Sequence, residues 1–166
     1  KNMKSKILVV DDEEPIRRTL ARMLATEPGP CDVLSASNGA QAMSLAESED
    51  PDLILLDVMM PEMDGFEVCR RLKADAATAD IPVIFITIKD ETEGLVEGFQ
   101  VGGVDYITKP FNEKEVLVRV ETHLKIHRLT QELLQKNRAL EQEIAARRQA
   151  EQARDEAEKA RQTANE

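Results

Sequence analysis

The chain has 166 residues, 42% of them hydrophobic, which is enough apolar material to bury a core, although only 3% are aromatic and none is Trp. Acidic residues outnumber basic ones 32 to 22, a net charge of −10, which argues against a nucleic-acid surface because phosphate binding needs clustered Lys and Arg. No apolar run approaches the roughly 20 residues of a membrane helix, and Cys31 and Cys69 stand apart without metal-ligand spacing; an acidic, cytoplasmic protein without a signal or membrane segment is expected.

The composition divides near residue 123. Residues 124–166 hold nine Lys or Arg and eight Asp or Glu, with no Gly, Pro or aromatic residue. The net acidity and all the Gly and Pro punctuation lie upstream. A globular domain over 1–123 and a helical segment over 124–166 are therefore expected.

In chain order, the strand candidates are 7–10, 33–34, 53–56, 83–86 and 104–107. The first, third and fourth are continuously apolar, as parallel strands covered on both faces are. Amphipathic stretches at 14–26, 39–48, 65–74, 92–101 and from 113 onward alternate with them, with Leu20, Met23 and Leu24 or Met43 and Leu45 as apolar stripes. This strict alternation predicts an α/β fold, a doubly wound five-stranded parallel sheet with right-handed crossovers.

Ligands in such sheets bind beyond the carboxyl ends of the strands, so the residues following each apolar run form the search set. Strand 1 runs into Asp11 and Asp12, strand 3 into Asp57, strand 4 into Thr87, and strand 5 into Thr108, Lys109 and Pro110. Three carboxylates, a hydroxyl and an ammonium thus converge on one rim. Like charges raise each other's pKa values, so the acids need a divalent cation, Lys109, or both. Mg²⁺ suits an all-oxygen set, and the whole suits phosphoryl chemistry with an aspartate as covalent acceptor. Each residue also has an ordinary reading: Asp12 as a helix start before Pro15, Asp57 as a loop acid, Thr87 as a cap, Lys109 as a solvated lysine before a turn. Their coincidence at strand ends favours a site. His123 and His127 fall at the helix junction, away from this rim.

These residues resemble the receiver domain of two-component response regulators. The resemblance rests on ILVVDDE (7–13), LILLDVMMPEMDGFEVCRRLK (53–73), PVIFIT (82–87) and GVDYITKPF (103–111), and spans about residues 4–123. It implies that Asp57 accepts a phosphoryl group from a phosphohistidine on a histidine kinase or phosphotransfer protein. It further implies that Asp11, Asp12, Asp57 and the Met59 backbone carbonyl hold Mg²⁺, that Lys109 binds phosphoryl oxygens, and that Thr87 and Tyr106 form a switch pair. Catalysis would be confined to self-directed phosphoryl transfer and dephosphorylation. The Lys109–Pro110 peptide is a candidate cis bond. The chain departs from the family in having Ile88 where a small residue usually follows the Thr, which would narrow access to the site; Met59 and Lys89 occupy other variable positions.

The tail reads as an unbroken continuation of the last helix, and its final 43 residues would extend about 65 Å. Ile126, Leu133 and Leu140 repeat every seven residues, with Thr130, Asn137 and Ile144 as the intervening positions. An Asn in such a seam favours a dimer in fixed register, so a parallel homodimer is expected. From Ala146 an alanine seam runs out of phase with the first. The segment 147–158 resembles the signalling helices that precede kinase or sensor modules, and an output module beyond this chain is expected. The competing readings are an unphosphorylated pseudo-receiver acting as a protein–protein scaffold, and a phosphatase or flavin protein on a similar sheet. Met59, where an aspartate-nucleophile phosphatase would carry a second Asp, disfavours the phosphatase; the two aspartates after strand 1 disfavour a flavin phosphate.

Overall fold

The computed structural model describes residues 4–26, 31–88 and 92–165, with backbone alone at 92 and 93. Strands and helices alternate through them: β1 Lys6–Val10, α1 Glu14–Leu24, β2 Asp32–Ala36, α2 Gly39–Glu49, β3 Leu53–Asp57, α3 Gly65–Ala74, β4 Val83–Ile88, α4 Thr92–Gln100, β5 Asp105–Lys109 and α5 Glu113–Ala164. All strand pairs are parallel and the order is β2-β1-β3-β4-β5. This is the expected doubly wound, flavodoxin-like sheet.

The period-2 geometry of the strands sorts the apolar runs onto two faces. Leu8, Val10, Ile54, Leu56, Val83 and Phe85 point to one side, where they meet residues of α2 and α3 such as Ala42, Ala46, Val68 and Leu72. Ile7, Val9, Leu53, Leu55, Ile84 and Ile86 point to the other, against Leu20 and Leu24 of α1 and Val116 and Val120 of α5. Both faces are dry, which is why β1, β3 and β4 carry continuous apolar runs at 7–10, 53–56 and 83–86 instead of alternating.

Most element limits differ from the expected ones by a residue or two, and three differences bear on packing or on the rim. α1 stops at Leu24, two residues early. α2 buries Gly39, Ala42 and Ala46, with Met43 and Leu45 only partly covered; a small-residue face lets that helix approach the sheet closely. β5 begins one residue later and runs to Lys109, because Thr108 and Lys109 pair with Thr87 and Ile88 of β4. Lys109 is thereby fixed by the ladder instead of standing in a turn.

The long helix α5 is uninterrupted, as a stretch without Gly or Pro allows. The chain forms two compact units, one through His127 and one from Arg128. In the first, α5 packs through Val116 and Val120. In the second, the helix exposes Leu129, Leu133, Leu134, Leu140 and Ile144 and carries an i,i+4 ion pair between Glu143 and Arg147 at 3.0 Å. Among the described residues no helix is long and apolar enough to cross a membrane.

Candidate functional site

Strand order reverses between β1 and β3, and at that point a crevice opens beyond their carboxyl ends. Asp11 follows β1 and is wholly buried; Asp57 is the last residue of β3 and only 3% exposed, while Asp12 is exposed. One carboxylate oxygen from each of Asp11, Asp12 and Asp57 lies within 4.8 Å of the others. From the end of the edge strand β5, Lys109 Nζ reaches Asp11 Oδ2 at 3.2 Å and Asp57 Oδ1 at 3.4 Å. The peptide between Lys109 and Pro110 is cis.

The backbone holds these acids in place. The Glu13 amide donates to Asp11 Oδ1 at 2.8 Å, and the Met59 amide donates to Asp57 Oδ1 at 3.3 Å. Asp12 is not the helix cap: the cap position of α1 is Glu13, without a side-chain bond, and Pro15 sits in the first turn. Arg17, one turn into α1, donates to the Asp11 backbone carbonyl at 2.7 Å, a brace that its place on an amphipathic helix did not single out. On the far side, Gly65 donates its amide to the Val58 carbonyl at 2.9 Å. A Cβ at Gly65 would stand 2.3 Å from the Asp57 carbonyl oxygen, so only glycine lets the β3–α3 loop close this tightly.

Charge balance explains the electrostatics. Burial, and then the neighbouring Asp11 carboxylate, push Asp57 up to about 6, against the lowering effects of Lys109 and the Met59 amide. Burial alone would lower Lys109, but Asp57 and Asp11 outweigh it and raise the amine. With every group ionised, three carboxylates face one ammonium. An all-oxygen cluster with uncompensated negative charge fits a hard divalent cation.

Thr87 lies near the end of β4, 5% exposed, its hydroxyl making, among the described residues, a long 3.5 Å contact with the Ile88 carbonyl. It and Tyr106 line a recess with Val58, Phe85, Leu95 and Gly98. The Tyr106 ring meets Phe99 edge to face, with centroids 6.2 Å apart, and the Arg119 guanidinium carbon stands 6.0 Å from its centroid. Arg119 is in turn bound to Asp105 at 2.9 and 3.0 Å, and His123 Nε2 lies 3.0 Å from Asp105 Oδ2. His123 therefore stands off the acidic rim yet has a defined place, one residue away from Tyr106 through Asp105. The i,i+4 spacing of Arg119 and His123 on one helix face was the available signal. Met59 and Ile88 are 57% and 54% exposed; Lys89 lies outside the described residues.

The sequence model of the response regulator receiver domain matches residues 7–121. The phosphate regulon transcriptional regulatory protein PhoB of Pseudomonas aeruginosa is 45% identical over 119 residues, covering 72% of this chain and 51% of that protein. The alkaline phosphatase synthesis transcriptional regulatory protein PhoP of Bacillus subtilis is 46% identical over 123 residues, covering 74% and 50%. Among solved structures, the chemotaxis protein CheY4 of Vibrio cholerae is 30% identical with a TM-score of 0.67, covering 74% of this chain and 99% of that one. The receiver domain of a signal transduction histidine kinase from Syntrophus aciditrophicus is 33% identical with a TM-score of 0.67, covering 73% and 90%. The chain spans about half the length of the curated relatives it matches. Fold, rim and sequence agree, and the chain belongs to the response regulator receiver domain family of two-component signalling.

Proposed function

We propose that this receiver is a phosphorylation-driven switch whose acceptor is Asp57. The observation that carries the reading is the cluster itself: three strand-end carboxylates within 4.8 Å and one lysine 3.2 and 3.4 Å from two of them. An Asp57 carboxylate oxygen attacks the phosphorus of a phosphohistidine on a histidine kinase or phosphotransfer protein. The P–O bond forms as the P–N bond breaks, and the imidazole leaves with the electron pair and takes a proton. Asp11, Asp12, Asp57 and the Met59 carbonyl would hold Mg²⁺, which when bound offsets charge on the transferring oxygens. Lys109 is placed to bind one of those oxygens, and a buried site excludes competing water.

Phosphorylation adds about −1.5 to −2 charge and three acceptor oxygens. Thr87, whose hydroxyl stands a long 3.5 Å from the Ile88 carbonyl, can turn to one of them. Its movement opens the recess that it shares with Tyr106, and the ring can move inward from Phe99 and Arg119. A local charge event thus biases a two-state element. Domain limits of 1–123 and 124–166 match this division of labour, with the tail pairing in a parallel homodimer and passing the change to an output region. A scaffold role without phosphorylation is disfavoured by the complete acid set.

Treatment with phosphoramidate and Mg²⁺, borohydride reduction of the acyl phosphate and peptide mapping tests the acceptor. Reduction at residue 57 is expected; a modified residue elsewhere, or none, would overturn the assignment.

A further inference from the structure

The second compact unit exposes more apolar surface than a two-position seam accounts for. Ile126, Leu133 and Leu140 occupy one core position of the heptad, d, and Thr130, Asn137 and Ile144 the other, a. Leu129 and Leu134, 52% and 40% exposed, fall outside both, at the flanking positions g and e. One heptad on, the same two positions hold Lys136 and Glu141, and the next g position holds Glu143. Lys136 and Glu141 enter no ion pair within the chain among the described residues, whereas Glu143 is already bridged to Arg147 at 3.0 Å.

From these flanks we infer that the tail selects a second copy of this same chain, parallel and in register. The inference rests on the dimerising tail of the preceding section and goes beyond it in naming what fixes partner and alignment. In two parallel helices a g residue faces the e residue five positions further along its neighbour. In register, Leu129 meets Leu134 of the second copy and Lys136 meets Glu141; beyond them the seam changes phase at Ala146. Every flank is complementary, and each contact occurs twice by symmetry. A slip of one heptad, the same in either direction because the copies are identical, breaks both Lys136–Glu141 contacts and sets Glu143 against Glu141 on one flank. The slip also takes each Asn137 away from its counterpart, placing one against Ile144 and the other against Thr130. An antiparallel pair would oppose Asn137 to a leucine layer and leave its amide unsatisfied. Charge therefore excludes the wrong registers while the leucines widen the apolar contact.

The test uses the whole chain, in sedimentation equilibrium at low salt, with and without Mg²⁺ and a phosphoryl donor. Lys136→Glu alone and Glu141→Lys alone should each weaken the dimer roughly ten-fold, since each turns two attractive contacts repulsive. An equimolar mixture of the two variants should recover the wild-type affinity as a heterodimer, and the double swap should recover it alone. Asn137→Cys should cross-link on mild oxidation, against the wild type, with its Cys31 and Cys69, as control. A dimer indifferent to the swaps, or one that does not cross-link at position 137, would overturn the inferred register and leave the dimer itself standing. A chain monomeric under every condition would overturn both.

Discussion

Lys109 holds Asp11 by a single ion pair, Nζ to Oδ2 at 3.2 Å, at a carboxylate that is wholly buried. The same ammonium stands 3.4 Å from Asp57, so one cation serves two buried acids. The three groups act as a unit, and the consequences for stability follow from its charge.

Replacing Lys109 with Met leaves Asp11 and Asp57 without their cation. An uncompensated buried charge costs about 3–5 kcal/mol, moderated here by the partial exposure of the lysine side chain. A loss of about 2–3 kcal/mol is expected in urea denaturation at pH 7.5 without divalent ions, with part of it restored by Mg²⁺. An unchanged midpoint would mean that the ion pair does not offset the acid charge.

Asp57→Asn should act in the opposite direction. Burial and Asp11 raise Asp57 to about 6, so the folded state takes up its proton more readily than the unfolded chain. Ionised Asp57 then opposes folding, a penalty that grows as pH rises from about 4 to about 6 and is full above that. The variant should gain about 1–2 kcal/mol at pH 7.5, several degrees in Tm, and little at pH 4. Added Mg²⁺ should raise the wild-type Tm more than that of the variant. Thermal melts across this pH range check both points; a variant less stable at pH 7.5 would contradict them.

A separate acid transition belongs to Asp105. Burial opposes its ionisation, but hydrogen bonds from His123, the Tyr106 amide and Arg119 outweigh that and hold the carboxyl below its usual range. A depressed carboxylate stabilises above its unfolded pKa, about 4, and loses that contribution as pH falls through the lower folded value. Asp105→Asn should therefore be less stable than wild type at neutral pH, and the difference should close below about pH 4. A gap that persists at pH 3 would place the effect in packing instead of charge.

Gly65→Ala places a methyl 2.3 Å from the Asp57 carbonyl oxygen and 2.9 Å from Val58 Cα. Both neighbours are backbone, so the loop must move and carry the acceptor with it. A loss of about 2–4 kcal/mol is expected, together with slower phosphorylation in the fraction that folds. Wild-type stability would show that the loop has slack.

Much of this was legible in the residues. Continuously apolar strands at 7–10, 53–56 and 83–86 announced a sheet covered on both faces, and the acids at 11, 12 and 57 lie together because they end adjacent strands. Four features were hidden for physical reasons. α2 packs through Gly39, Ala42 and Ala46, which carry little apolar signal. Lys109 belongs to β5 because its ladder partner is Ile88, and pairing is not written in local sequence. Arg17 acts on a backbone carbonyl six residues back, a contact that no side-chain motif encodes. Likewise the place of His123 depends on Asp105, eighteen residues away in sequence and brought near by the packing of α5 on the sheet.

The central claim is that Asp57 accepts a phosphoryl group with Mg²⁺ at the neighbouring acids. Intact-protein mass after treatment with a small-molecule phosphoryl donor, with and without Mg²⁺, on wild type and Asp57→Asn, tests it most directly. A gain of one phosphoryl group that requires Mg²⁺ and is absent from the variant is the expected result. An equal gain in the variant, or none in the wild type with Mg²⁺ present, would contradict it.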